Sequence, residues 1–247
     1  MELEEKVEKF IRENKLFQPG ERVLVGFSGG PDSLCLLWLL KNLPLNLKVF
    51  AFHLNHLLRG EEAYRDEKKV RKFCQNHSIP LTVIRRDIKK LRKKGESLEE
   101  ASRRIRWEEM IKVSKEKNIA KIALGHQLDD QVETVIFRLV KGTGPGGLGG
   151  MRARTIVEKG IEIVRPLLNI TRKEIEHYLS AKGLLPVIDS SNFDLRIPRN
   201  RIRHRVIPEL EKINPKLREK IYSLTLLLQA DEDYFLNKIK EITQRYK

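Results

Sequence analysis

A glycine-rich turn between an apolar run and a helical pattern is the first place in this sequence where chemistry is expected. The apolar run 23–27 is followed by the string S-G-G-P-D-S at 28–33, in which the proline suits the first position of a helix. The first N–H groups of a helix have no partner within it, and the helix dipole adds positive potential there, so such a turn attracts phosphate. The glycines let the backbone approach a ligand closely. The serine hydroxyls can donate to phosphate oxygens, and the carboxylate of Asp32 can hold a metal ion or a cationic group.

This turn differs from the common nucleotide-binding loops. The sequence contains no G-x-x-x-x-G-K-[ST], and the turn itself has no G-x-G-x-x-G. A bare Gly-Gly pair would be typical of an ordinary connection between a strand and a helix. The complete string S-G-G-x-D-S is more specific than that, and it predicts a phosphate site of another type.

A second polar segment, H-L-N-H-L-L-R at 53–59, follows another apolar run. His53 and His56 are three residues apart, but neither Cys nor a carboxylate stands at ligand spacing, so a metal site is not expected. The imidazole and the amide of Asn55 can instead read a base or a ribose by hydrogen bonds. Arg59 offers a planar fork that suits phosphate.

A third segment, G-H-Q-L-D-D-Q-V-E-T at 125–134, places carboxylates at the start of a predicted helix. In the simplest interpretation Asp129 is an N-cap and Asp130 is a favourable charge in the first turn. That interpretation does not account for the whole polar cluster. Asp130 and Glu133 are three residues apart and share one helix face. They could bind an ammonium group or, together with Asp32, a Mg²⁺ ion.

Two further segments have unusual composition. The glycine-rich stretch Gly142–Gly150 has no helix or strand pattern, and it predicts a mobile flap, a backbone cradle or a flexible linker, with mobility expected in each case. Arginines alternate with other residues between Arg196 and Arg205. Such alternation more often marks a solvated face than a site, but beside a phosphate-handling loop it favours contact with a nucleic acid or pyrophosphate.

Strand-like runs and helical patterns alternate along the first two thirds of the chain, which predicts a parallel sheet with helices on both faces. Ligands of such sheets bind at the carboxyl ends of the strands, where the three polar segments lie. Residues 142–150 and 186–208 are expected to be irregular. Capping boxes begin at Ser97 and Thr171. The predicted strands are 22–27, 47–54, 81–85, 120–125 and 161–165, and the predicted helices are 2–14, 31–41, 62–77, 97–117, 129–141, 171–182 and 215 onward.

The net charge, the cysteines and the apolar stretches indicate which partners and which compartment to expect. The net charge of +15 favours a polyanionic partner, with nucleic acid ahead of an acidic membrane. The cysteines, Cys35 and Cys74, form no C-x-x-C, which argues against a disulfide scaffold or a zinc ribbon and fits a reducing cytoplasm. The amino-terminal pattern is not that of a signal peptide, and no apolar stretch reaches the length that spans a bilayer. We therefore expect a cytoplasmic protein without a membrane partner.

Six motifs stand in one order: S-G-G-P-D-S, H-L-N-H-L-L-R-G, L-G-H-Q-L-D-D-Q-V-E-T, R-L-V-K-G-T-G-P-G-G-L-G-G-M, R-P-L-L and R-N-R-I-R-H. The first resembles the PP-loop of the ATP pyrophosphatase superfamily. Together, from about residue 21 to 209, they resemble the tRNA(Ile)-lysidine synthetases. The resemblance implies an α/β fold: a doubly wound, parallel-sheet domain that is Rossmann-like and adenine nucleotide alpha hydrolase-like, followed by a small, mostly helical C-terminal region.

The domains expected on this basis are a catalytic domain at 1–185, a basic connecting segment at 186–214 that completes the active site, and a helical extension at 215–247. Longer family members carry further C-terminal domains that grip the tRNA, and we expect that part to be short or absent here. The apolar face of the last helix could pack on the domain or on a second subunit, so a homodimer stays open.

The implied reaction joins free lysine to C2 of the wobble cytidine in the CAU anticodon of an isoleucine tRNA. ATP first adenylates the cytidine and releases pyrophosphate, and AMP leaves when lysine attacks. ATP and Mg²⁺ are the implied cofactors. The residues expected to bind ATP or pyrophosphate are Ser28, Gly29, Gly30, Pro31, Asp32, Ser33, His53, Asn55, Gly125 and His126.

The remaining roles are implied in the same way. Asp32 is expected to hold Mg²⁺, and Asp130 and Glu133 to bind lysine. The expected catalytic residues are Asp32, Asp130, Glu133 and Arg201. The arginines expected to bind tRNA are Arg59, Arg103, Arg104, Arg196, Arg199, Arg201, Arg203 and Arg205.

Other functions remain open at this point. A PP-loop enzyme that amidates a small molecule would need an ammonia source or another substrate domain, and neither is visible. A tRNA thiolase would commonly use a C-x-x-C pair or an iron–sulfur cluster, which the two cysteines do not fit. A non-catalytic RNA-binding protein would explain the charge but would leave without a role the carboxylates of Asp32, Asp129, Asp130 and Glu133.

Overall fold

The computed structural model describes residues 2–58, 60–158, 160–187, 195 and 197–245. The chain forms two compact units that interleave along the sequence. Unit 1 consists of Met1–Gly125, Ala153–Leu167 and Lys173–Asp189, and unit 2 of His126–Arg152, Leu168–Arg172 and Ser190–Lys247. The domain limits expected from the sequence are consecutive along the chain, and they stay a prediction.

The helices begin and end close to the predicted positions in most cases. The capping box at Ser97 is formed in both directions, since Ser97 N–H donates to Glu100 and Glu100 N–H donates to the Ser97 hydroxyl. In chain order the helices are α1 Leu3–Glu13, α2 Pro31–Asn42, α3 Glu61–Asn76, α4 Ile88–Leu91, α5 Leu98–Glu116, α6 Leu128–Lys141, α7 Pro145–Leu148, α8 Arg172–Ala181, α9 Pro198–Arg201, α10 Ile207–Ile213 and α11 Leu217–Arg245.

The sheet belongs to unit 1 and has six strands among the described residues. They are β1 Arg22–Gly26, β2 Lys48–Asn55, β3 Leu81–Arg85, β4 Lys121–Ala123, β5 Arg154–Glu158 and β6 Ile161–Val164, in the order β3-β2-β1-β4-β6-β5. β1 pairs in parallel with β2 and β4, whereas β5 pairs with β6 in the antiparallel direction. The predicted α/β fold with a mostly parallel sheet is therefore confirmed.

Helices cover both faces of this sheet because alternate residues of each strand point to opposite sides. On one side, Leu24 and Phe52 of the sheet share a core cluster with Ile105 and Met110 of α5. On the other side, the amide of Asn55 in β2 donates to residues of α3. The buried apolar side chains between these layers hold the carboxyl ends of β1, β2 and β4 in place.

The core of unit 2 forms around α6. Val132 and Ile136 of α6 pack against Ile202 and Ile207, and Ile221 of α11 lies against the same cluster. Within the described parts of the chain, none of the helices has both the length and the apolar character needed to span a membrane.

Three local predictions are wrong. The stretch 186–208 was expected to be irregular, but α9, a π-helical turn at Ile202–Val206 and the start of α10 occupy its second half. The glycine-rich stretch contains the short helix α7. The edge strand β5 is not predicted at all, because four of its five residues are exposed and its apolar and polar residues do not alternate.

Candidate active site

The serine–glycine loop, Ser28–Ser33, is the first candidate site and belongs to unit 1. Its backbone turns at Gly29, where φ is +89°, and α2 begins at Pro31 with Gly30 as N-cap. Ser28 N–H donates to the Ser33 hydroxyl at 3.2 Å, and Gly30 N–H donates to the Ser28 hydroxyl at 3.3 Å. The Ser33 hydroxyl in turn donates to the Gly30 carbonyl at 3.0 Å. The loop is therefore held in shape by its own hydroxyl groups at the carboxyl end of β1.

Gly125, which follows β4, approaches this loop closely. A Cβ atom at Gly125 would lie 2.9 Å from the backbone carbonyl carbon and oxygen of Asp32. Gly29 is also confined, since its Cβ would lie 3.0 Å from Val187 and 3.1 Å from Val70. The predicted site residues Gly125 and Asp32 are thus brought together, and neither Gly125 nor Gly29 has room for a side chain.

Asp32 is half-buried in the first turn of α2. Among the described residues, no group of three or more His, Cys, Asp or Glu side chains is arranged to hold a metal ion. Magnesium commonly uses one or two carboxylates together with substrate phosphates and waters. A single carboxylate beside a phosphate-attracting turn fits that pattern, so Asp32 is the residue of this loop that suits Mg²⁺.

The side chains of His53 and Asn55 are buried in unit 1. His53 Nδ1 lies 2.9 Å from the carbonyl oxygen of Phe27, the residue before the loop, and burial lowers the pKa of the His53 ring. Asn55 Nδ2 donates to Ala63 O at 3.2 Å and to Glu67 at 3.0 Å. His53 therefore supports the strand end that precedes the loop. The ATP contacts predicted for His53 and Asn55 stay predictions.

The sequence did not predict the ion cluster beside Asn55, in which Glu67 binds Arg71 and Arg85. Glu67 is 2% exposed and accepts two hydrogen bonds from Arg85, at 2.9 and 2.8 Å, and one from Arg71 at 2.9 Å. Arg85, with Asn55 and Arg71, lowers the pKa of Glu67 to about 2. No spacing in the sequence connects α3 with the end of β3, so only the folded chain reveals this cluster.

The arginines predicted to bind tRNA lie in different surroundings. In unit 1, Arg103 is exposed on α5, whereas Arg104 donates to Glu96 at 2.9 and 3.0 Å and to the carbonyl oxygen of Leu91 at 3.0 Å. Arg104 thus fastens the segment before α5 to that helix. Arg59 and Arg196 lie outside the described residues.

The second candidate site is the carboxylate–arginine cluster of unit 2, formed by Asp129, Asp130 and Glu133 of α6 with Arg203 and Arg218. Arg203 Nε donates to Glu133 Oε1 at 2.5 Å, and Arg203 Nη2 donates to Glu133 Oε2 at 3.0 Å. The same guanidinium lies 3.4 Å from Asp130 Oδ1, and Arg218 donates to Asp129 at 2.8 Å. The two residues predicted to bind lysine, Asp130 and Glu133, are therefore assembled with Arg203, which the sequence assigned to tRNA binding instead.

Burial governs the electrostatics of this cluster. Glu133 is 1% exposed, and loss of hydration raises the pKa of Glu133 and of Asp130, while Arg203 opposes the shift. Arg199 adds a further favourable charge to both carboxyls. Carboxylates removed from water in this way need cations. The cluster can therefore bind a cationic group and can accept a proton.

The remaining predicted residues of unit 2 surround α6 or are exposed. His126 is half-buried and precedes Gln127, the N-cap residue, whose side chain accepts from Asp129 N–H at 2.6 Å. Arg201 and Arg205 are exposed. Their predicted roles in catalysis and in tRNA binding stay predictions.

Known proteins match this chain over most of its length. A family model described as a PP-loop domain matches residues 1–210. A protein of Clostridium perfringens named tRNA(Ile)-lysidine synthase is 38% identical over 243 residues, which cover 97% of this chain and 51% of that protein. A protein of the same name from Thermotoga sp. is 36% identical over 233 residues, which cover 93% of this chain and 55% of that protein. The chain spans about half the length of the curated relatives it matches.

Among solved structures, a U34-tRNA thiolase of Methanococcus maripaludis, described with its 4Fe–4S cluster, aligns with a TM-score of 0.72 and 20% sequence identity. The alignment covers 91% of this chain and 79% of that one, and at this identity it shows the fold alone. The family match extends over the serine–glycine loop, the carboxylates of α6 and the arginines up to residue 205. This chain belongs to the PP-loop domain family.

Proposed function

We propose that this chain carries the catalytic region of a tRNA(Ile)-lysidine synthase. It would join lysine to C2 of the wobble cytidine in the CAU anticodon of an isoleucine tRNA, using ATP and releasing AMP and pyrophosphate. The observation that carries the proposal is the self-braced serine–glycine loop at the carboxyl end of β1, in a chain that is 38% identical to a protein of that name.

The first step needs an activated base, because the C2 carbonyl of cytidine is a poor electrophile. Its oxygen attacks the α-phosphorus of ATP, and pyrophosphate leaves. Ser28, Ser33 and the first N–H groups of α2 would hold the departing pyrophosphate through fixed donors, which stabilise charge without reorganising. When bound, Mg²⁺ would neutralise phosphate charge, and Asp32 would hold it.

The second step needs a neutral amine. Asp130 and Glu133 would hold the ammonium group of lysine, sharing their oxygens with Arg203. Their raised pKa values make both carboxyls better proton acceptors than exposed ones, which assists loss of the proton before the amine attacks C2. AMP then leaves from C2.

A tRNA partner suits the surface of both units. Arg103 in unit 1 and Arg201 and Arg205 in unit 2 are exposed, and the net charge of +15 favours a polyanion. The wobble base must leave its stack to react, as bases do in other enzymes that modify nucleic acids. From the proposed tRNA substrate we infer a cytoplasmic location.

A second copy of the chain is a further proposed partner. Leu227 and Phe235 of α11 are 66% and 64% exposed, and apolar side chains on one helix face are a common interface in oligomers. Sedimentation over a range of protein concentrations decides between a monomer and a homodimer.

The reaction is tested by mixing the protein with labelled lysine, ATP and isoleucine tRNA bearing a CAU anticodon. Label is expected in the tRNA only when ATP is present, with one AMP and one pyrophosphate per lysine. A tRNA with cytidine replaced at the wobble position serves as the control. Pyrophosphate release on another substrate, without lysine incorporation, would refute the proposal.

A thiolase is the nearest alternative, and the thiols argue against it. Cys35 and Cys74 are both buried and free. Burial, with Asp32 as a lesser cause, raises the pKa of the Cys35 thiol, and burial raises the pKa of Cys74 to about 11. Sulfur chemistry needs accessible thiolates, which these residues do not provide.

A further inference from the structure

Two helices of unit 2 hold the backbone of the loop segment Gly146–Arg152. From α6, Arg138 donates to the carbonyl oxygens of Gly147 at 2.7 Å and Gly150 at 3.1 Å. Gln131 of the same helix donates to Met151 O at 3.0 Å and accepts from Met151 N–H at 2.7 Å. Both polar groups of one peptide residue are therefore bound by one side chain.

The other helix is α11. Gln229 Nε2 donates to Gly149 O at 2.6 Å and to Met151 O at 3.2 Å. Arg152 extends the contact by pairing with Glu232 at 2.7 Å and Asp233 at 3.0 Å. Gln229 thus supplies the hydrogen bonds that connect the middle of the loop segment with α11.

The backbone comes so close to α6 at Gly150 that glycine is required there. A Cβ at Gly150, where φ is +65°, would lie 2.7 Å from Gln131 Nε2. Gly149 lies in ordinary contact with α11, since its Cβ would be 3.5 Å from Gln229 Cγ. The loop segment therefore packs closely against both helices.

The helix α6 connects the loop segment with the carboxylates proposed to bind lysine. Gln131 is fully buried and lies in the same helical turn of α6 as Asp130 and Glu133, although it faces Met151 rather than Arg203, and its Nε2 also donates to the Thr225 hydroxyl of α11 at 3.2 Å. Loss of a donor in such a network leaves backbone carbonyls unsatisfied and shifts the groups bonded to them. The loop segment is therefore bonded to the turn of α6 that also carries the two carboxylates.

We propose that Gln229 is a positioning residue for lysine transfer. By donating to Gly149 and Met151 it fixes the loop segment against α11, while Arg138 and Gln131 bind the same segment to α6, and in this way it keeps Asp130 and Glu133 in their working geometry. This inference rests on the proposed function. It assigns to α11, outside the motif-bearing part of the chain, an indirect influence on the reaction.

The test replaces the amide donor while keeping its shape. In Gln229→Glu, a carboxylate faces two carbonyl oxygens, and amide hydrogen exchange in 146–152 is expected to rise about tenfold. The kcat for lysine transfer is expected to fall about tenfold with KM for ATP unchanged, because Gln229 bonds to the loop segment of unit 2 and the serine–glycine loop belongs to unit 1. Gln244→Glu makes the same chemical change in the last, exposed turn of α11 and should behave as wild type.

Gln229→His separates hydrogen bonding from packing, since its ring can donate an N–H. It is expected to recover most of the exchange protection and of kcat. Equal losses in Glu and His variants, or faster exchange with unchanged kcat, would overturn the positioning role. If the wild-type protein transfers no lysine, the proposed function fails, and the exchange data alone then decide whether Gln229 holds the loop segment.

Discussion

Adding one methyl group at Gly125 is expected to disturb nucleotide binding without altering any polar group. The new Cβ in Gly125→Ala would lie 2.9 Å from the carbonyl carbon and oxygen of Asp32. Non-bonded carbon atoms prefer separations of about 3.5 Å or more, so the end of β4 or the first turn of α2 must move by about 0.6 Å. Both neighbours are backbone, which cannot rotate away as a side chain could.

Two magnitudes follow from that displacement. Overpacking of this kind costs about 1–3 kcal/mol of unfolding free energy, which corresponds to a fall in Tm of about 2–12 °C for a chain of this size. Misplacement of binding groups by about 1 Å can cost about a hundredfold in rate, so a shift of about half that size should lower kcat/KM for ATP about tenfold.

The assays are thermal unfolding and ATP-dependent pyrophosphate release with tRNA present. Gly144→Ala is the matched control for stability, because its Cβ would meet no atom within 4 Å and its φ is −81°. The control should unfold at the wild-type temperature. A Gly125→Ala protein with wild-type Tm and wild-type kcat/KM for ATP would refute the steric argument.

Three further changes test other parts of the molecule. Asp32→Ala should abolish pyrophosphate release while the circular dichroism spectrum and Tm stay near wild type, and full activity would contradict the proposed metal role. The Glu67–Arg85 pair should stabilise the fold above pH 4.5 and lose that contribution as the pH falls toward 2, since the pKa of Glu67 is depressed from 4.5 to about 2. Acid titration of Tm should therefore be flatter for Glu67→Gln than for wild type, and parallel curves would count against it. Neutralising four exposed lysines should weaken tRNA binding, spare ATP binding and reduce the log–log salt slope by about 0.7–0.9 per lost phosphate contact, whereas unchanged tRNA affinity would disprove their role. These lysines are Lys89, Lys90, Lys93 and Lys94.

The part of the fold that carries the serine–glycine loop could be predicted because its signals are local. An apolar run, a glycine turn and a proline at the first helical position specify β1, the serine–glycine loop and α2 within a few residues. The capping box at Ser97 marks the start of α5 in the same way. Each of these features depends on neighbours in sequence, so one chain is enough to recognise it.

The features that escaped prediction depend on distant partners. Ile202 and Ile207 stand among arginines, so the local sequence shows no clear apolar helix face. In the structure both side chains pack against α6. β5 is an exposed edge strand, recognisable by its pairing with β6 rather than by alternation. Tertiary packing overrides local pattern at both places.

The sequence predicted which carboxylates take part in the candidate site of unit 2, but it did not predict the hydrogen bonds that they form. Sequence spacing placed Asp130 and Glu133 on one face of α6, as the structure shows. Their bond to Arg203 spans 70 residues or more and has no local signal. The same holds for the approach of Gly125 to Asp32, which arises because β4 lies beside β1 in the sheet.

The burial of both native thiols has a practical consequence for labelling. With a pKa of about 11, only about one Cys74 side chain in ten thousand is a thiolate at neutral pH, and Cys35 is still less ionised. A cysteine engineered on the exposed end of α11, for example by Gln244→Cys, would outcompete both for a maleimide dye. A fluorescent reporter can thus be attached to this helix in the otherwise unmodified protein, and its response to lysine, ATP and tRNA can be followed one addition at a time.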